Sequence, residues 1–165
     1  NIVFQSRLSY LEKRLQTLPG MEQEFSLITS IVGEIGNNSF DHNLGSWPDI
    51  RGIFFAFDTN KKQIALADRG LGILETLKRV RPALASDEEA LKVAFTEKVS
   101  ARAPENRGNG LKFVKKVVTE IEKQVKIDLY FQSGIAAVNL KNGEVELKIF
   151  KPDFAFRGCM ALIKF

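Results

Sequence analysis

The chain contains a single cysteine, Cys159, and a single histidine, His42, in 165 residues. One cysteine cannot close an internal disulfide, which fits a reducing compartment. One cysteine with one histidine cannot assemble a zinc site of the usual Cys/His kinds. Long hydrophobic runs are absent too: no stretch reaches the roughly 18–20 apolar residues needed to span a bilayer. The first residues carry the pattern of neither a signal peptide nor a transit peptide. A cytoplasmic protein without membrane insertion is expected. There is no repeat, no low-complexity tract and no Pro/Gly/Ser linker to divide the chain. The lysine-containing loop of P-loop proteins is missing, as is a Gly-x-Gly-x-x-Gly turn after a strand at the start of a βαβ unit, so the two commonest nucleotide-binding readings lack their motifs.

An excess of one charge sign is nearly absent. The chain has 24 Lys and Arg against 20 Asp and Glu, a formal charge of +4, with the basic residues spread among the acidic ones. Such a balance describes an ordinary solvated surface, and nucleic acid is not expected as a partner. What is present is core material: 44% hydrophobic residues including thirteen Phe, enough for one domain over residues 1–165 but cramped for two.

Apolar residues at Leu8, Leu11, Leu15 and Leu18 predict a docking helix that ends at Pro19-Gly20. A second helix is predicted over 21–43, with Phe25, Ile28, Val32 and Ile35 as its apolar stripe and Glu34, Asn38 and His42 at i, i+4, i+8 on the flank beside it. Strands over 53–57 and 63–67 should form a hairpin. Residues 71–107 mix two short helical pieces, 73–80 and 87–99, with a loop over 100–107. So long and weakly periodic a stretch reads as a mobile functional segment. Leu111, Val114, Val118 and Ile121 mark a helix opening at Gly108-Asn109-Gly110. Strands are predicted over 125–132, 136–140 and 145–150, the last two joined across Asn142-Gly143, and over 160–165. This order favours an α+β two-layer sandwich over a doubly wound sheet.

Three short elements carry candidate chemistry. The first is the Glu34/Asn38/His42 flank. Asn38 offers a neutral amide oxygen, suited to a Mg²⁺ that takes only one or two protein ligands beside phosphate and water. The alternative is a polar helix flank that is merely solvated. The second is Asp68-x-Gly70-x-Gly72 after a strand. It places a carboxylate where an exocyclic amine could be read, and glycines where a backbone must approach a flat base; the alternative is an ordinary turn. The third is Gly108-x-Gly110-Leu111 opening a helix, with Arg107 ahead of it. Free amides and the helix dipole there favour an anion, unless the glycines merely begin the helix. Lys112, Lys115 and Lys116 read as solvated surface. A Cys159/His42 nucleophile is conceivable, but Cys159 leads an apolar strand and reads as core.

In this order the three elements resemble the asparagine box and the two glycine boxes of the GHKL superfamily: histidine kinases, anti-sigma serine kinases, type II topoisomerases and heat-shock chaperone ATPases. The similarity extends from Glu34 through Gly158-Cys159, where the family commonly has Gly-Thr. It is greatest to stand-alone bacterial and anti-sigma serine kinase-like members, which keep a glutamate in the place of Glu34. The resemblance implies a Bergerat-type sandwich, with helices on one face of a mixed, mainly antiparallel sheet, and a lid over about 71–107. It implies ATP and Mg²⁺ as cofactors, with Asn38 the metal ligand and Glu34 orienting the attacking water or hydroxyl. Asp68 would read the adenine amino group. His42, Gly70, Gly72, Arg107, Gly108, Gly110 and Leu111 would complete the ATP site.

Because His42 already belongs to the nucleotide helix, these residues alone cannot be an autophosphorylating histidine kinase. The acceptor lies on another protein, the chain is a fragment, or the activity differs. The expectation is an ATP-dependent regulatory protein, either a protein kinase or slow ATPase, or a non-catalytic ATP-gated interaction switch. Its partners would be ATP, a protein partner or phosphoacceptor in trans and, as an option, a second copy of the chain.

Overall fold

The structure is a computed structural model that describes residues 1–43, 47–99 and 110–165. In chain order the elements are α1 (Ile2–Gln16), α2 (Phe25–Asn43), β1 (Ile53–Asp58), β2 (Gln63–Asp68), α3 (Gly72–Lys78), α4 (Asp87–Thr96), α5 (Gly110–Thr119), β3 (Asp128–Gly134), β4 (Ala136–Leu140), β5 (Ile149–Phe150) and β6 (Phe156–Lys164). The strands form one open sheet in the order β1-β2-β6-β3-β4-β5. The architecture is α+β and compatible with a two-layer sandwich. No helix of the described residues is long and apolar enough to cross a membrane.

Strand register shows which sheet face the helices cover. Rows such as Phe57–Ile64–Ile163–Leu129–Leu140 and Phe55–Leu66–Ala161–Phe131–Val138 align across the sheet, and Ile64, Leu66, Ala161, Ile163, Leu129, Phe131, Val138 and Leu140 are all buried. Against them lie the stripe residues Ile28, Val32 and Ile35 of α2, also buried, each such side chain contributing about 1.5–3 kcal/mol. The end of the same face carries Asp68, Cys159 and Ser133 in adjacent register.

The expected mixed sheet is corrected: every strand pairing among the described residues is antiparallel. The helical crossover through α3, α4 and α5 does connect two strands of the same direction, β2 and β3. The last strand, β6, then inserts between them and pairs antiparallel with both. The expected 136–140/145–150 hairpin is also shorter than predicted. Only Ala137↔Phe150 and Val138↔Ile149 pair, and Gly143 instead donates its N–H to the Thr119 carbonyl (3.0 Å) at the end of α5. The closer partner of β4 is β3, joined to it through Gly134-Ile135, with φ of +61° at Gly134. Glycine suits the first position of such a two-residue hairpin turn.

The helices of the predicted lid stretch are part of the core. Helix α4 starts at Ser86, whose hydroxyl accepts the Glu89 N–H, and it buries Ala90, Leu91, Val93 and Phe95. The Phe95 ring meets Phe131 edge-on at 5.5 Å. The Asp87 carboxylate accepts the Ile135 N–H at 3.0 Å, pinning α4 to the β3–β4 turn. Residues 100–107 of that stretch lie outside the described residues.

Helix α1 docks on α2 through two glycines of different tightness. A Cβ on Gly36 would overlap the Phe4 ring, whereas one on Gly33 would make an ordinary 3.4 Å contact with Leu8. Gly36→Ala should therefore cost about 1–3 kcal/mol by overpacking, while Gly33→Ala should be neutral or stabilise by up to about 1 kcal/mol through helix propensity. Urea unfolding of the two variants measures this, and equal effects would contradict the packing described.

Candidate functional site

The last turns of α2 present two polar rows. Glu34, Asn38 and His42 form the half-buried flank predicted from the spacing. One residue further round, the row Ile35, Ser39, Asn43 is buried and turns polar at the end that meets Asp68. Ser39 and Asn43 were missed in the sequence. The signal for them was a helical stripe that changes from isoleucine to hydrogen-bonding side chains over its last two turns.

Asp68 ends β2 on the helix-facing row and is only 4% exposed. Its Oδ2 accepts from Ser39 Oγ at 2.7 Å, and its Oδ1 accepts from the Gly70 N–H at 2.8 Å and, at 3.5 Å, from Asn43 Nδ2. The backbone of Cys159 donates as well. Burial raises the pKa of this carboxyl above the usual aspartate range; the four donors oppose that rise without cancelling it. Asn43 extends the network, donating to the Ser39 carbonyl and accepting the Leu71 N–H, both at 2.8 Å. Asp68 thus joins α2, the glycine turn and β6 in one buried polar cluster.

The glycines of the turn are explained by close approach. A Cβ on Gly70 would overlap the Asn43 carboxamide. Gly72 has φ of +77°, and a Cβ there would stand 3.0 Å from Ser133 Oγ, which accepts the Ile73 N–H at 2.9 Å. Gly158, with φ of +93°, lies directly against the Asp68 backbone. Any side chain at Gly158 would push β6 from β2 at the carboxylate.

Beside this cluster is a narrow cavity of about 340 Å³, its mouth included, lined by Asn38, His42, Asp68, Gly72, Leu111 and Cys159. Ile35, Ile73 and Phe131 supply apolar wall, with Ser39, Asn43 and Thr76 adding polar atoms. Its enclosed volume is about 20 Å³, room for a water-sized group and well below the size of ligand pockets. Glu34 does not line this cavity. It stands one turn along, where a Cβ on Gly110 would come within 2.8 Å of its Oε2 and 3.2 Å of Asn38 Nδ2. The N-terminus of α5 therefore abuts the Glu34/Asn38 flank, while Gly70 belongs to the Asn43 contact and not to the cavity wall. Arg107 and Gly108 lie outside the described residues.

Cys159 and His42 share the cavity, but the thiol is a poor nucleophile. Burial first, and then the charge of Asp68, push the Cys159 pKa well above its ordinary value, whereas a reactive cysteine needs a depressed one. Among the described residues no group of three or more His, Cys, Asp and Glu side chains could hold a metal ion. A cation near Asn38 would need ligands from a bound phosphate and water.

The raised Asp68 pKa has a definite sign in stability. The folded state holds this proton to higher pH than the unfolded chain does. The carboxyl's titration therefore contributes stability that is full below the unfolded-state pKa and is lost as pH rises through the folded one. Asp68→Asn removes that titration. It also turns an amide donor toward the converging donors, costing about 1–3 kcal/mol. In urea unfolding from pH 4 to 7, the stability gap between wild type and Asp68→Asn should narrow as pH rises. A gap independent of pH would contradict the burial described.

No protein-family model matches this chain, and no curated protein sequence matches it.

Proposed function

We propose that this chain is an ATP- and Mg²⁺-binding regulatory domain with the Bergerat-type sandwich of the GHKL superfamily, acting as a stand-alone protein kinase or slow ATPase. One observation carries the reading: Asn38 and His42 of α2, Asp68 and Gly72 of the β2–α3 turn, and Leu111 of α5 line a single cavity although they are far apart in sequence. In this reading the base enters at the mouth of this cavity. Asp68 borders it, and the long contact from Asn43 is the one an exocyclic amine would replace. Ile35, Ile73 and Phe131 offer apolar surface to a ring face.

The phosphate end falls where α5 begins against Glu34 and Asn38. The free amides and dipole of that helix start favour anionic oxygens, and the Asn38 carboxamide is the neutral oxygen ligand that Mg²⁺ accepts beside phosphate and water. Glu34, one helical turn away and outside the base cavity, is placed to take a proton from a water or hydroxyl aimed at a terminal phosphate. A cytoplasmic location and a protein partner in trans belong to the same reading.

The non-catalytic switch rests on a different observation. Glu34 also lines a separate hollow with Glu12 and Phe113, a surface on which a partner would sense the phosphate end without any transfer. The two readings part at Glu34→Ala. If Glu34 is the base, phosphate release falls by about a hundredfold while ATP binding persists; unchanged release leaves only the switch. Asn38→Ala should abolish the magnesium-dependent part of ATP binding measured with radiolabelled nucleotide. Wild-type protein that binds no ATP with magnesium, or binds GTP equally well, would overturn the assignment.

A further inference from the structure

The two edges of the sheet differ in how they are closed to other chains. At one edge β5 is only two residues long, with Lys148 just before it and Lys151-Pro152 just after it. Shortness, lysine and proline are the features that keep an edge from pairing with a further strand. At the other edge β1 runs six residues, Ile53–Asp58, with no lysine, no proline and no bulge in its register with β2. Every second residue of such a strand turns its N–H and C=O away from the sheet. Among the described residues no hydrogen bond reaches the outward groups of Ile53–Phe57. Phe55 and Phe57 lie on the helix-covered face, against Phe4 and Tyr10 of α1. Phe54 stands on the opposite face and is 62% exposed.

We propose that β1 pairs antiparallel with β1 of a second copy of this chain about a two-fold axis, joining the two sheets into one. A two-fold pairing of edges keeps every side chain on its own face, so one residue must lie opposite itself. Centred on Phe55, the pairing sets each Phe54 opposite Ala56 of the other copy, large against small, and each Ile53 opposite Phe57. No charge interrupts Ile53–Phe57, and the strand's two ends differ in sign. Antiparallel pairing therefore brings Arg51 of each copy beside Asp58 of the other, where like charges would have met in a parallel one. The exposed side chains of Phe54, Ile50, Tyr10 and Val3 supply apolar area on the order of 500 Å² per copy, which with the strand backbone approaches the roughly 800 Å² of a standard interface. The second copy is the occupant because the strand complements itself in size and in charge.

Sedimentation equilibrium of the whole chain tests this. Wild type should be dimeric, and Phe54→Lys should weaken the dimer by about tenfold or more. Arg51→Glu, in the exposed segment ahead of β1, should weaken it by about tenfold and guards against a Phe54→Lys chain that misfolds. The register is read by mild oxidation of a Phe54→Cys chain mixed with an Ala56→Cys chain. The mixture should form a disulfide that neither variant forms alone, since only opposed residues come within bridging distance. Wild type that stays monomeric to about 100 μM overturns the proposal and leaves the edge to an extended segment of another protein. A dimer indifferent to both charge variants, no bridge in the mixture, or a bridge in either variant alone overturns it as well.

Discussion

A buried carboxylate with four donors around it is the constraint on which the rest of this structure depends. Asp68 is taken out of water at the end of β2, and a group so placed is tolerated only if its lone pairs are met. Meeting them requires Ser39 and Asn43 from the end of α2, the Gly70 amide from the following turn, and the Cys159 backbone from the last strand. Four segments of chain are thereby held to one point. The glycines at 70 and 158 are consequences of that closeness, because the space a Cβ would fill is already taken by Asn43 and the Asp68 backbone, while Gly72 is fixed by its φ of +77°.

Placed beside such a cluster, a cavity is lined by groups with little freedom to move, which is the condition for recognising a small planar ligand. The same helix that supplies Ser39 and Asn43 inward supplies Glu34, Asn38 and His42 on its adjacent row. One turn of α2 therefore separates this narrow cavity from the start of α5. This division suits a ligand with an apolar ring at one end and charge at the other. Cys159, held protonated by burial, belongs to the wall and not to the chemistry.

Much of this was legible in the sequence because the periodicities were strong. The stripe Ile28, Val32, Ile35 and the alternation of Ile64 and Leu66 specify a helix and a strand whose buried faces meet. The cavity residues Asn38, Asp68, Gly72 and Leu111 were legible as polar or glycine positions beside those patterns. What was not legible depends on contacts distant in sequence. Nothing local shows that β6 slots between β2 and β3, which leaves every pairing among the described residues antiparallel. Asn142-Gly143 makes a turn as predicted, yet its amide is claimed by the Thr119 carbonyl instead of closing a long hairpin. Within 71–99, weak periodicity goes with two short helices, α3 and α4, the second of which buries Phe95 against Phe131. Ser39 and Asn43 find their partner only in Asp68, a residue distant in sequence.

The central claim is that the Asp68 end of the cavity takes a base while the start of α5 takes phosphate. The most direct measurement is a crystal structure with a non-hydrolysable ATP analogue and magnesium. The account predicts the adenine amino group within hydrogen-bonding distance of Asp68, and the triphosphate between Asn38 and Gly110. An analogue bound with its base away from Asp68, or seated on another face of the molecule, would contradict it.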